Sequence, residues 1–531
     1  MKKLICMIAL AGMLFCNACV AAPPKASDIP KPMEAASLVN AEAVAGEIRV
    51  AELDAQEAQK TILGYFTDLC GVARASQNTT VISDYLVTWA NDAKLTVSKD
   101  NASNVIIDAD ATAGYEDRKK IILQAHMDLN VLSAAPFEPE TFVVSAQTDG
   151  KTTTAADSNL GASNGIGVAA IMYLLTADID HGPLRAVFTV DGDHNMTGAA
   201  ALAADVLDAD YLISFDWLAS DSLCYGSAGS RSCSFSRVPT WEAAAGDTSY
   251  TISVSGLTGG DSGIYAGMGR ANAIRLVAEA VDAIKAAGVT VGIVSFDGST
   301  INEAIPDHAS ATIVIDGAQA QTLQDAFEAY KQTAAGIYGD TEGDYTFECA
   351  QQTEVPAEVL SQEDTGNLLN FLTLSVEGVN TMSTDTDSLV ESSETLSSVL
   401  VEHDVITIKK YLRSYSSGRF DQMENADSTL ANMCGFSVSR DVSIPGWSAD
   451  AASELLQTCL QVYHAIHEED MAYTPTHTNL ECGFFSETKP ELQMIAIGAQ
   501  IDGLHSRSET LQNDSVAALA QLAASLLISM E

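Results

Sequence analysis

Four short apolar runs, each ending in a polar group, constrain this chain more than any other feature. They read NVIIDA (104–109), KIILQAHMD (120–128), RAVFTVDGD (185–193) and YLISFDW (211–217). Each is too short for a stable helix and rich in Val, Ile and Phe, which predicts buried strands. Helical periodicity lies before and between them, over 52–70, 81–94, 165–176 and 197–207. This alternation predicts an α/β fold of three layers around a mainly parallel sheet. In such sheets ligands gather beyond the carboxyl ends of the strands. His126, Asp128, Asp193 and Asp216 all fall at those ends.

A length of 531 residues is too great for one core. From 231 to 432 strand-like runs (SYTISVSGL, VTVGIVSFDG, SATIVIDG) stand beside helix-like runs at 271–287 and 320–336, which predicts an inserted α+β domain. After IPGW (444–447), a helical run at 449–467, the strand QMIAIGA and a helix from about 511 return to the first domain. The expected division is therefore 46–230 and 433–531 for the α/β domain, with 231–432 as an inserted lid.

The first residues, MKK followed by LICMIALAGMLF and the small residues CNACVAA, have the pattern of an export signal over 1–22, with a linker over 23–45. The apolar run is shorter than the roughly 20 residues that span a bilayer. Soluble export and a lipid anchor at Cys19 both remain open, and no later stretch is apolar enough for a membrane span. Twenty-seven basic residues face 71 acidic ones, a formal net charge of −44. Such a surface repels nucleic acid and anionic lipid. Seven cysteines follow the signal without paired zinc-ligand spacing, so buried free thiols are expected.

His126-Met-Asp128 closes a strand, and a carboxylate two residues from an imidazole suits a metal ligand with an orienting partner. Asp193 and Asp216 end two further strands, and His505 lies in the late segment GLHSRSE. Two His and two Asp at one sheet edge suit zinc. The glycine-rich turn NLGASNGIG (159–167) places Ser163 at the mouth of the same site.

The ordered series ILQAHMD, LGASNGIG, HGPL, GLTGGDSG, GRANA, SLVESSETL, IPGW, HTNLECGFF and IAIGAQIDGLHS resembles the aminoacyl-histidine (Xaa-His) dipeptidases, co-catalytic zinc metallopeptidases. The resemblance implies hydrolysis of small peptides between two zinc ions, and a homodimer formed through the lid. It implies that His126 and Asp216 are ligands of the first zinc, with Asp128 orienting His126. It implies that His505 serves the second zinc and that Asp193 stands where the family has a metal-binding Glu. It also implies that Arg413, His477 and Glu481 line the substrate cleft.

The same resemblance exposes departures. Ser163 replaces the Asp that bridges the metals, and a neutral hydroxyl is a poor zinc ligand. Gly192 replaces the general-base Glu. Asp261 replaces a His that stabilises the transition state, and an acid there is expected to repel a developing oxyanion. Asn302-Glu303 replaces a segment carrying an Arg. Asp157, Asp191 and His194 are the nearby groups that would have to compensate; His464 and His467 read as surface residues. Two expectations follow: a relative with impaired or absent catalysis that retains one zinc or none, and alternatively an active dipeptidase with one metal or an altered ligand set.

Overall fold

The structure, a computed structural model, describes residues 47–531 apart from 300–302, 385–387, 449, 505 and 531. The expected signal, the linker, Cys19, Asn302 and the ligand candidate His505 lie outside the described residues.

All four apolar runs form strands: Val105–Ala109, Ile121–His126, Leu184–Thr189 and Tyr211–Ser214. They belong to a nine-stranded sheet with Thr96–Lys99, Ser222–Ser227, Trp447–Ser448, Ala472–Thr476 and Gln493–Ala496. The centre is parallel, in the order Leu184–Thr189, Ile121–His126, Tyr211–Ser214, Gln493–Ala496. Antiparallel pairs flank it on both sides, so the expected parallel sheet is the centre of a mixed one. Ile121–His126 is buried at every position, as a strand covered on both faces must be.

Helices Ala55–Cys70, Ala162–Leu174, Glu454–His467 and Asn513–Ser529 cover one face, where Ile62, Phe66, Ile171 and Leu460 meet. The second of these is buried almost all round, which is why VAAIMYL shows no polar stripe. The opposite face packs Trp447, Leu480, Phe485 and Met494 under the short helices Thr197–Ala201 and Cys482–Thr488. The helix expected over 197–207 stops at Ala201. Beyond it, the carbonyls of Asp205 and Val206 accept instead from the Arg185 guanidinium (3.1 and 3.0 Å).

The inserted domain has its own core around Phe235, Ile252, Val277, Phe296 and Phe371. Its nine-stranded antiparallel sheet carries helices Ala273–Ala286, Ala320–Glu342, Gln362–Leu374 and Ser417–Met433. Asn272 caps the first, its side chain accepting from the amides of Ile274 and Arg275. The sheet extends to Ile444, because Ser437–Ile444 pairs with Gly229–Arg237; the sequence placed the return at 433. That last strand is a mostly exposed edge without an apolar run, so its letters resemble a linker. The chain crosses between domains twice in contact, and a Cβ on Gly229 would sit 2.6 Å from the Gly446 nitrogen. All seven cysteines among the described residues are free, six of them buried.

Candidate active site

A cleft of about 990 Å³ lies between the two domains, and His126, Ser163, Gly192, Asp193, Asp216, Asp261, Arg413 and His477 all line it. The end of the central strand delivers His126, whose side chain is 3% exposed. Its Nδ1 lies 3.1 Å from Asp128 Oδ1, and its Nε2 lies 3.7 Å from Asp193 Oδ1 and 3.9 Å from Asp216 Oδ1. Burial acts to lower the His126 pKa, but Asp193, Asp128 and Asp216 outweigh it and raise the pKa well above the ordinary histidine range. In the metal-free molecule the ring is thus held as an imidazolium among three carboxylates.

Asp128 lies behind His126 and is fully buried. Besides the imidazole it accepts from Ser76 Oγ (2.6 Å) and from the amides of Gly192 (2.7 Å) and Asp193 (3.3 Å). Its orienting role is therefore built from four directions. Glu481 is also beneath the cleft and does not line it; it accepts from Gln124 Nε2 and Thr189 Oγ1, both at 2.6 Å. Burial pushes its carboxyl up to about 8, against the weaker pull of His126. The expected substrate contact at Glu481 is accordingly a buried, protonated support.

Ser163 ends the 159–163 turn with its Oγ 3.4 Å from Asp216 Oδ1. The turn is pinned by Glu509, whose two oxygens accept from the amides of Gly161 (2.8 Å) and Ser163 (3.2 Å). Arg74 holds the same turn, donating to the Gly161 carbonyl (2.8 Å) and the Asp128 carbonyl (3.3 Å). Sequence reasoning missed Glu509 and Arg74. Glu509 sits just past His505, but nothing in its spacing points to a turn some 350 positions earlier.

Gly192 is more than a missing carboxylate. A Cβ built there would lie 2.3 Å from both Cβ and Cγ of His126, so no side chain fits while His126 keeps its place. Asp191 is fixed away from the metal corner, accepting from the Gln77 amide and Thr197 Oγ1, both at 2.6 Å. Asp157 is exposed and His194 half-buried, and neither lines the cleft. His464 pairs with Asp470 on the surface.

On the lid side, Asp261 does not stand as a bare repelling charge. One oxygen accepts from the amides of Gly263 (2.7 Å) and Ile264 (2.9 Å), and the other lies 3.3 Å from Arg413 Nη2. Arg413 is 2% exposed and also donates to Ser262 Oγ and Asn479 Oδ1, each at 3.2 Å. His477 pairs through Nε2 with Ser393 Oγ (2.8 Å). Burial and the nearby Arg413 push its pKa down to about 3, so the ring is neutral.

The donor chemistry of the cleft suits a divalent cation. His126, Asp193 and Asp216 offer one nitrogen and two carboxylates, whereas Ser163 brings no charge to the position between two metals. Zinc bonds of about 2.0–2.2 Å in a tetrahedral array put donor atoms about 3.4 Å apart, so the 3.7 and 3.9 Å separations are a few tenths wide. Among the described residues no group of three or more His, Cys, Asp or Glu is already closed for a metal.

Comparisons with known proteins agree with the fold. A peptidase dimerisation domain family matches residues 252–342, inside the lid. The chain is 28% identical over 462 residues to the cytosol non-specific dipeptidase of Escherichia coli K12, covering 85% of this chain and 93% of that one. The crystal structure of aminoacylhistidine dipeptidase from Vibrio alginolyticus superposes with a TM-score of 0.73 at 28% identity, over 89% of this chain and 96% of the other. A tripeptidase from Staphylococcus aureus shares the fold, with a TM-score of 0.51 at 14% identity, over 88% and 97% of the two chains.

Proposed function

We propose that this chain is a peptidase of the M20 type, an exported dipeptidase-type protein whose hydrolytic chemistry is impaired. The observation that carries the impairment is Gly192, which leaves no side chain to take a proton and lies against His126. Loss of a positioned general base costs about 10²–10⁴-fold in rate. Ser163 at the bridging position supports the same reading, because it supplies no charge for a second metal.

In this reading the cleft receives small peptides, and His126, Asp193 and Asp216 hold a single divalent cation such as zinc. When bound, that ion supplies Lewis-acid polarisation of a carbonyl oxygen. With the ion bound, Asp128 would hold the His126 proton at Nδ1 and leave the Nε2 lone pair for the metal. An active one-metal dipeptidase is the second reading, favoured by the presence of these three donors. The dimerisation-domain match supports a homodimer. Export rests on the N-terminal pattern alone; no helix among the described residues is long and apolar enough to cross a membrane.

The test is zinc per chain by elemental analysis on mature protein in metal-free buffer, with hydrolysis of alanyl-histidine measured beside the Escherichia coli relative. The expected result is about one zinc or none and turnover at least about a hundredfold lower. Two zinc ions with comparable turnover overturn the impairment. The mass of the mature N-terminus decides between soluble export and lipid at Cys19.

A further inference from the structure

The electrostatics of the cleft bear on what it accepts. Asp193 and Asp216 border it from the α/β domain, Asp261 and Glu303 from the lid. Among the described residues lining it, Arg413 is the only Arg or Lys. That guanidinium is already committed: Nη2 to Asp261 (3.3 Å), Nη1 to Asn479 and Nε to Ser262 (3.2 Å each), with Tyr411 beneath it at 4.9 Å. His477, just past the α/β strand Ala472–Thr476, is tied to Ser393 of the lid. The rest of the lining is largely apolar, including Trp217, Ile264, Met268, Met382 and Val390.

A free dipeptide brings a terminal carboxylate, and burying it requires a cation or several donors. Asp261 already stands where Arg413 would pair with it. A second carboxylate there meets like charge from Asp261 and Glu303 instead. A neutral amide terminus meets no such repulsion, while Asp193 and Asp216 at the floor already face His126.

We propose that this cleft selects ligands that carry no free carboxylate, such as a peptide amide, with Asp261 serving as an internal carboxylate on Arg413. The inference rests on the reading that the cleft receives small peptides, but not on whether it hydrolyses them.

The experiment is isothermal titration of the purified full-length mature chain with leucyl-leucinamide and with leucyl-leucine at neutral pH. The amide is expected to bind at least about tenfold more tightly than the acid. Asp261→Asn keeps the side-chain shape and releases Arg413, so the acid should gain about tenfold while circular dichroism stays unchanged. Equal or tighter binding of the acid by the unaltered chain overturns the proposal. So does the absence of binding of either ligand up to about 10 mM, or an unchanged preference in a folded Asp261→Asn variant. The two readings fail separately: a chain with two zinc ions that hydrolyses dipeptides yet prefers the acid fails only here, and an inert chain that prefers the amide fails nothing here.

Discussion

The shell beneath the cleft and the surface facing it are built in opposite ways. Below, Asp128, Glu481 and Glu509 are buried carboxyl groups held by two or more donors each, and Arg74 ties the 161–163 turn to the strand end. Above, Ser163, Gly192 and Asp261 line the cleft at positions where the family resemblance implies a bridging Asp, a general-base Glu and a His. Removing one member of a buried polar network strands its partners, whereas a group facing water can change with little loss of stability. The comparison teaches that the form of an active site and its chemistry are held by different residues.

The largest expected effect tests the lower shell. Asp128→Ala leaves His126, Ser76 and two amides without their acceptor, and should cost about 3–5 kcal/mol in denaturant unfolding; a loss below about 1 kcal/mol would show that the shell is not holding the site. Next comes the upper surface. Ser163→Asp places a carboxylate beside Asp216 and should tighten zinc binding about a hundredfold by calorimetry, some 2.7 kcal/mol, while lowering metal-free stability. Unchanged zinc affinity would remove Ser163 from the account.

Gly192→Glu sharpens the boundary between the two layers. The new Cβ overlaps His126, so the variant should lose about 1–3 kcal/mol and gain no hydrolysis. Restored turnover would mean that the strand end yields easily. The smallest effect at neutral pH concerns Glu481. Folded, it keeps its proton up to about pH 8; unfolded, it releases it near 4.5. The unfolded state therefore binds fewer protons between those values, and stability falls as pH rises through that window. Glu481→Gln should flatten the slope between pH 5 and 8 in metal-free protein, and an unaltered slope would contradict the buried, protonated assignment.

The sheet was legible because Ile, Val and Phe cluster in short runs whose ends carry the ligand-type residues. His126, Asp193 and Asp216 do meet, as their positions at strand ends predicted. What stayed hidden depends on distances between remote segments. The Asp261–Arg413 pair spans 152 positions and the Glu509 contact with Ser163 spans 346. The helix after Thr197 ends where Leu202 turns extended (ψ 129°), a local backbone choice that periodicity does not encode. The edge strand Ser437–Ile444 escaped because exposed strands need no apolar alternation.

The position of Gln493–Ala496 between Tyr211–Ser214 and Ser222–Ser227 has a temporal consequence. In synthesis from the N-terminus, every strand of the lid sheet, up to Ile444, emerges before the α/β sheet receives this central member. Domains tend to fold as units in order of emergence. The lid can therefore acquire its core while the older half of the other domain still waits, its hydrophobic strands incomplete, for partners some 280 residues downstream. Such delayed, long-range closure is slow and leaves apolar edges open to wrong pairing, so the vulnerable stage of this protein's life falls before its cleft exists.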